Sequence, residues 1–283
     1  MRLVTTTRGV GVLDGDAVRL LDTKYADIGE ALSAGLDPEA LAGSPVLDEV
    51  PLEAVTLRPP VLRPSKIWGV GYAYADHRRE VGFGETPTHP MVFLKAPSSV
   101  IACNESIVLP LVAPDRVDYE GELGVVIGRR ASSVARADAA AFVAGYTVVN
   151  DVTARDIQRG DIPGRKGDTS MAKSLDTFTP LGPCLTTLDE FDDPDDLELK
   201  TFVSGDLRQN ARTSDLIFPV SELIEYLSSH TTLQPGDIIT TGTPAGVGHA
   251  RSLYLRPGDT VSIWIEGIGT LTNPVVAAAA RLQ

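Results

Sequence analysis

The stretch Val117-Asp-Tyr-Glu-Gly-Glu-Leu-Gly-Val-Val-Ile-Gly128 constrains this chain more than any other. Its apolar second half reads as a strand, and side chains two residues apart in a strand share a face. Glu120 and Glu122 therefore project from the same side. Side-by-side carboxylates repel unless water or a counter-charge relieves them. A half-buried strand with its polar face in solvent is one solution. A hard divalent cation bound by oxygen ligands is the other. A third carboxylate, Asp151, stands at the end of a second apolar run, Ala144-Gly-Tyr-Thr-Val-Val-Asn150.

Composition narrows the function classes. The 283 residues carry a formal charge of −13, with only 22% charged side chains and 43% hydrophobic ones. So acidic a chain is a poor partner for nucleic acid or an anionic membrane surface. An anionic substrate would need a metal, Lys, Arg or backbone N–H groups to hold it. No apolar run reaches the ~18 residues of a membrane span. The start, Met1-Arg-Leu-Val-Thr-Thr-Thr, lacks the apolar core of a signal peptide. Cys103 and Cys184 are the only cysteines, both in apolar surroundings, which suits buried thiols in a reducing, cytoplasmic setting.

Short strands dominate the chain, and neither repeats nor low-complexity tracts interrupt it. Asp14-Gly15-Asp16 between two apolar runs signals a hairpin, and a short helix is expected near Ile28–Ala34. Prolines in Leu57-Arg-Pro-Pro-Val-Leu-Arg-Pro64 mark a linker. The expected division is a small β-rich N-terminal domain, 1–60, and a catalytic domain, 61–283. Val220, Leu223, Ile224 and Leu227 follow a helical period. Two Pro-Gly-Asp turns, at 235–237 and 257–259, each introduce a strand. Many strands and few helices give a β-rich α+β fold. A Gly-x-Gly-x-x-Gly after a strand and a P-loop are both missing, so nucleotide binding has no support.

Polar residues interrupting the apolar runs supply the remaining chemistry. In Tyr74-Ala-Asp-His-Arg-Arg-Glu80, His77 and Glu80 are one helical turn apart. A carboxylate beside an imidazole orients it and raises its basicity, as a general base requires; a surface histidine in a charged loop is the plainer alternative. Asp151-Val-Thr-Ala-Arg-Asp-Ile-Gln158 reads as a helix entry with a capping box from Thr153 and Asp156. Lys173 lies in Met171-Ala-Lys-Ser-Leu-Asp-Thr177. Thr240-Thr-Gly-Thr-Pro-Ala-Gly-Val-Gly248 is either an ordinary turn or an anion nest of N–H groups with Thr243.

In order, His-x-x-Glu, Phe-Leu-Lys, Glu-x-Glu-Leu-Gly, Asn-Asp-Val-Thr-Ala-Arg-Asp-x-Gln, Lys-Ser-x-Asp-Thr and Thr-Gly-Thr-Pro-x-Gly-Val-Gly resemble the fumarylacetoacetate hydrolase family from about residue 64 to 275. Within it, the chain resembles the acylpyruvase and 2-hydroxyhepta-2,4-diene-1,7-dioate isomerase-like branch. The resemblance implies a mixed β-roll catalytic domain of the family type, after a small N-terminal domain, in a homodimer. It implies one Mg²⁺ or Mn²⁺ per subunit on Glu120, Glu122 and Asp151. It carries the catalytic His–Glu dyad to His77 and Glu80, on a short mobile helix, and the family lysine to Lys173. Substrate contacts fall to Gln158 and Thr243, with Arg155 and Tyr74 alongside. Ala73 departs from the pattern, since an asparagine is usual there, and Gly160–Asp168 is not distinctive. Both leave the substrate's distal end open.

The residue types then suggest a reaction. A 2-oxo acid can chelate the metal through its carboxylate and 2-oxo oxygens, which makes C3 a better leaving group as an enolate. Lys173 places positive charge near that oxygen. His77, oriented by Glu80, would activate water to attack C4 of a 2,4-dioxo acid of the acylpyruvate or fumarylpyruvate type, cleaving the C3–C4 bond. Decarboxylation of oxaloacetate and isomerisation of a 2-hydroxy-dienoate would pass through the same enolate. A non-catalytic binding protein would show a lost carboxylate, His or Lys, and none is lost. Gly71, Gly82, Gly84, Pro87 and Pro90 around the dyad suit a lid from about 74 to 90.

Overall fold

The computed structural model describes residues 1–83 and 85–279; Gly84, within the expected lid, lies outside the described residues. A large mixed sheet carries the fold. Its strands run in the order Val46–Pro51, Ala17–Leu21, Gly9–Asp14, Arg2–Thr6, Thr179–Thr186, Val143–Asn150, Gly121–Ile127, Ile238–Thr240, Ile67–Gly71 and Met91–Lys95. A second sheet orders Asp206–Arg212, Glu198–Val203, Thr260–Ile265, Gly269–Ala277 and Ile107–Leu109. The architecture is the β-rich α+β fold expected from the strand-dense sequence.

Every residue of the Gly121–Ile127 strand is buried, because both its faces are covered. One face lies against the second sheet: a Cβ on Gly121 would stand 2.2 Å from Thr201 Oγ1 and 3.2 Å from Ile263 Cγ2. The residue between the two glutamates is thus a glycine because the sheets approach there. The opposite face carries Glu122, which rules out a solvated strand face.

The N-terminal strands share the large sheet. Arg2 pairs with Thr186 and Leu3 with Leu185. Leu3, Val10, Ile28 and Leu32 pack with Ile67, Val126, Leu181 and Ile238. The hairpin at Asp14–Asp16 joins Gly9–Asp14 to Ala17–Leu21, and a helix covers Ile28–Ser33. Val220–His230 is helical and buries Val220, Leu223, Ile224 and Leu227, the stripe its period marks.

Topology assembles the site. Gly121 opposes Asn150 across an antiparallel pair, which brings the start of one strand to the end of the other. Gly124 opposes Thr240 on the other side, so the loop after Thr240 meets the same end. Ile67–Gly71 runs parallel to Ile238–Thr240 and delivers Tyr72 and the dyad helix, Ala75–Glu80, there as well. Just beyond Lys95, Val100–Ile101 pairs with Thr179–Pro180. The last strand of the sheet therefore curls back towards an inner one, and Lys95 reaches the enclosed side.

Candidate metal centre and active-site cleft

Glu120, Glu122 and Asp151 converge: one carboxylate oxygen from each lies within 4.8 Å of the others, and all are buried. The backbone enforces this, since Asp151 N–H donates to the Glu120 carbonyl at 2.8 Å and Glu120 N–H to Asn150 Oδ1 at 3.0 Å. Two of the three carboxylates have cationic partners. Lys173 Nζ donates to Glu120 Oε2, to Asp151 Oδ2 at 2.7 Å and to Thr153 Oγ1 at 2.7 Å. Lys95 Nζ donates to Asp151 Oδ1 at 2.6 Å, and Arg155 Nη2 to Glu120 Oε1 at 2.5 Å.

Glu122 differs. Its hydrogen-bond partner among the described residues is the Gly242 N–H at 2.8 Å. Burial, with repulsion from Asp151 and Glu120, pushes its carboxyl well above the ordinary range. Burial also pushes Glu120 upward, but Arg155 and Lys173 outweigh it and hold that carboxyl below the usual range. Burial lowers Lys173, yet Asp151 and Glu120 raise it above the ordinary lysine value. Three enclosed hard oxygen donors, one of them with no cationic partner among the described residues, fit a divalent cation such as Mg²⁺ or Mn²⁺.

Beside these carboxylates lies a cleft of about 30 Å³, lined by Tyr72, His77, Met91, Phe93, Gln158, Lys173 and Thr243 among others. His77 is 4% exposed, its Nδ1 lies 3.4 Å from Glu80 Oε2, and its ring stacks on Tyr72. Holding Nδ1 leaves Nε2 as the nitrogen free for chemistry. Burial raises the Glu80 carboxyl, but hydrogen bonds from His77 and the Gly246 N–H outweigh it and lower the value. The Gly246 N–H reaches both Glu80 oxygens at 3.0 Å.

The glycine-rich loop does hold anions, and they are the protein's own. Its Gly242 and Gly246 amides serve Glu122 and Glu80, and the Gly248 amide serves Asp118. Thr243 lines the cleft, but its hydroxyl donates to the Gly121 carbonyl at 3.0 Å and accepts from Gln209 Nε2 at 2.7 Å.

The structure corrects several expectations. Tyr74, read as a substrate contact, is fully buried, and its hydroxyl has no partner among the described residues; Tyr72, at a positive φ of 55°, lines the cleft. The short strand Val117–Asp118 pairs with Thr153–Ala154, which places Ala154 rather than Thr153 at the N-cap of the Arg155–Arg159 helix. Thr153 Oγ1 donates to the Asp151 carbonyl at 2.9 Å, so there is no capping box. Arg155, also read as a substrate contact, does line the cleft, with its guanidinium hydrogen-bonded to Asp118, Glu120 and Gln158. Ala73 is buried against Gly242, where a Cβ would stand 2.4 Å from Ala73 Cβ.

Two charged residues had no role in the sequence reading. Lys95 is fully buried and also donates to the Lys173 carbonyl at 2.5 Å and the Phe178 carbonyl at 3.1 Å. Its signal was a lysine closing the apolar run Met91-Val-Phe-Leu94. Asp118 precedes the glutamate pair at the same two-residue period.

Residues 66–276 match the model of the fumarylacetoacetate hydrolase C-terminal domain, and the chain belongs to that family. Its members with assigned chemistry are enzymes. The chain is 41% identical over 272 residues to the mitochondrial oxaloacetate tautomerase FAHD2B of Bos taurus, covering 95% of this chain and 85% of that protein. It superposes on the 5-carboxymethyl-2-hydroxymuconate delta-isomerase of Mycobacterium smegmatis with a TM-score of 0.79 at 40% identity, over 98% of this chain and all of that one. Against the maleylpyruvate hydrolase of Sphingobium sp. SYK-6, solved with manganese(II) and pyruvate, the TM-score is 0.78 at 33% identity, over 99% of this chain and 100% of that one. No helix among the described residues is long and apolar enough to cross a membrane.

Proposed function

We propose that the protein is a divalent-metal-dependent enzyme that moves a proton at C3 of a short 2-oxo acid, interconverting its keto and enol forms. The observation that carries this reading is the placement of a buried, carboxylate-oriented imidazole in the same cleft as the acidic triad. Glu120, Glu122 and Asp151 would hold the ion, which supplies Lewis-acid polarisation of the 2-oxo group when bound. His77 Nε2 takes the C3 proton and returns it to oxygen or carbon. Glu80 fixes the ring and stabilises its charged form. Gln158 offers its amide N–H groups to the substrate carboxylate, and Lys173 contributes positive charge beside it.

The simpler chemical requirement favours this proton transfer over cleavage. Tautomerisation needs a base and a compact substrate. Hydrolysis needs, in addition, a positioned water and room for the acyl group. The tautomerase relative is also closer in sequence than the hydrolase. Cleavage of the C3–C4 bond of a 2,4-dioxo acid is the second reading. It is favoured by the likeness to a hydrolase solved with pyruvate and by a dyad suited to activating water. A panel of enol-oxaloacetate, acylpyruvates, fumarylpyruvate and a 2-hydroxy-dienoate, with Mn²⁺ or with chelator, separates the two. Metal-dependent loss of enol absorbance without pyruvate release is the expected result. Faster pyruvate release from an acylpyruvate would replace the first reading with the second. We extend the family expectation to a homodimer in the cytoplasm.

A further inference from the structure

Asp118 is fully buried two residues before Glu120, and the chemistry above makes no use of it. Its carboxylate accepts from Gly248 N–H at 2.7 Å and His249 N–H at 2.9 Å, where the glycine-rich loop passes into a helical turn. It also accepts from Tyr119 N–H at 2.9 Å and from Arg155 Nε at 2.9 Å, and pairs ionically with Arg155 Nη2, 2.8 Å away. The same guanidinium reaches Glu120 Oε1 through Nη2 at 2.5 Å and Gln158 Oε1 through Nη1 at 2.8 Å. A guanidinium is a rigid, planar fork of donors. Fixing its Nε edge on Asp118 therefore fixes the direction of the other edge, and with it Glu120 and Gln158.

The consequence at Gln158 is chemical. With its amide oxygen turned to Arg155, the amide nitrogen is the group left for the cleft. A pure N–H donor recognises a carboxylate and rejects a donor. At Glu120 the clamp engages Oε1 while Lys173 engages Oε2, so the carboxylate cannot rotate freely.

We propose that Asp118 is the positioning residue of this site, acting through Arg155 to set one triad carboxylate and the carboxylate-binding amide together. The inference rests on the triad being a metal centre and on Gln158 facing the substrate. It assigns Arg155 an orienting task in place of substrate contact. A purely structural Asp118 would secure Gly248 and His249 and affect melting alone.

The test uses the full chain, with Mn²⁺ alone and then oxalate on the Mn²⁺-loaded protein as probes, both by calorimetry. Asp118→Asn keeps the shape and an acceptor for Gly248 but turns an NH₂ towards the Arg155 or His249 donors. Outer-shell partners of metal ligands are worth about 10–100-fold in affinity, so Mn²⁺ and oxalate should each bind at least about tenfold more weakly. Asp161→Asn removes the same charge from an exposed pair with Arg116 and should leave both within about twofold. Arg155→Lys keeps the charge and loses the fork, and should reproduce the Asp118→Asn losses. It carries the test if Asp118→Asn does not fold. Unchanged Mn²⁺ and oxalate binding in these variants, with only a lower melting temperature, would overturn the clamp. Equal losses in Asp161→Asn would overturn it too, by pointing to general charge. Failure of the unaltered protein to bind Mn²⁺ would bring down the metal reading, and the clamp with it.

Discussion

Glu122→Gln should stabilise the metal-free protein and abolish its response to Mn²⁺, an effect of opposite sign in the two states. Oxygens of the three carboxylates lie within 4.8 Å of one another. At an effective dielectric of about 20, two like charges at that separation repel by about 3 kcal/mol. Lys173 bridges Glu120 and Asp151, which cancels much of their mutual repulsion, while Glu122 has the Gly242 N–H. Glutamine keeps an acceptor for that N–H and removes the charge. A net gain of roughly 1–2 kcal/mol at pH 8 follows, and at about 2–4 °C per kcal/mol the metal-free melting temperature rises by about 2–8 °C. Mn²⁺ at a hundredfold excess over its Kd adds about 2.7 kcal/mol to the unaltered protein, or about 5–11 °C. It should add little to the variant. Thermal melts in chelator and in Mn²⁺ would then place the variant above the parent in the first and below it in the second. A variant that melts lower in chelator and still gains the parent's full shift in Mn²⁺ would refute the argument.

Because Glu122 is raised, it holds a proton to higher pH than a free glutamate. Its ionisation therefore opposes stability of the metal-free fold as pH rises through the raised value, and Mn²⁺ must displace the proton below it. Mn²⁺ affinity should fall as pH is lowered towards that range, with proton release visible in titrations run in buffers of different ionisation enthalpy. Lys95→Met leaves the buried Asp151 with one cation fewer and should cost about 3–5 kcal/mol, read as a loss in denaturant midpoint. Gly246→Ala would put a Cβ 2.0 Å from the Arg208 carbonyl at a φ of 107°, displacing the amide that holds Glu80. Its rate should drop with the parent's Mn²⁺ affinity retained. The segment around the dyad should exchange amide hydrogens faster in the free protein than in the oxalate complex; equal exchange would remove the lid.

The parts of the site written in local spacing were legible in the sequence. A two-residue period announced Glu120 and Glu122, a three-residue period announced His77 and Glu80, and a strand end announced Asp151. The β-rich class followed from short apolar runs and turn signals, and the stripe of Val220–His230 from its period. What was missed depends on contacts far apart in the chain. Lys95 meets Asp151 only because the sheet curls back after its last strand. Asp118 meets Arg155 and Gly248 across separations of 37 and 130 residues. The exchange of Tyr74 for Tyr72 turns on a positive φ that the side-chain pattern does not encode. Thr153 looked like a cap because Thr-x-x-Asp fits one, while its hydroxyl is used between Asp151 and Lys173. The shared sheet of residues 1–60 rests on pairing with a strand 184 residues on, at Arg2 and Thr186.

In the proposed mechanism His77 moves a proton in a cleft whose metal site it does not itself build. The most direct measurement is Mn²⁺-dependent ketonisation of enol-oxaloacetate by His77→Asn, with Mn²⁺ affinity measured on the same preparation. Loss of a general base is worth about 10²–10⁴-fold in rate, so a fall in that range with unchanged Mn²⁺ affinity is the result expected. A variant as fast as its parent, or one that loses its rate only because it no longer binds Mn²⁺, would contradict the account.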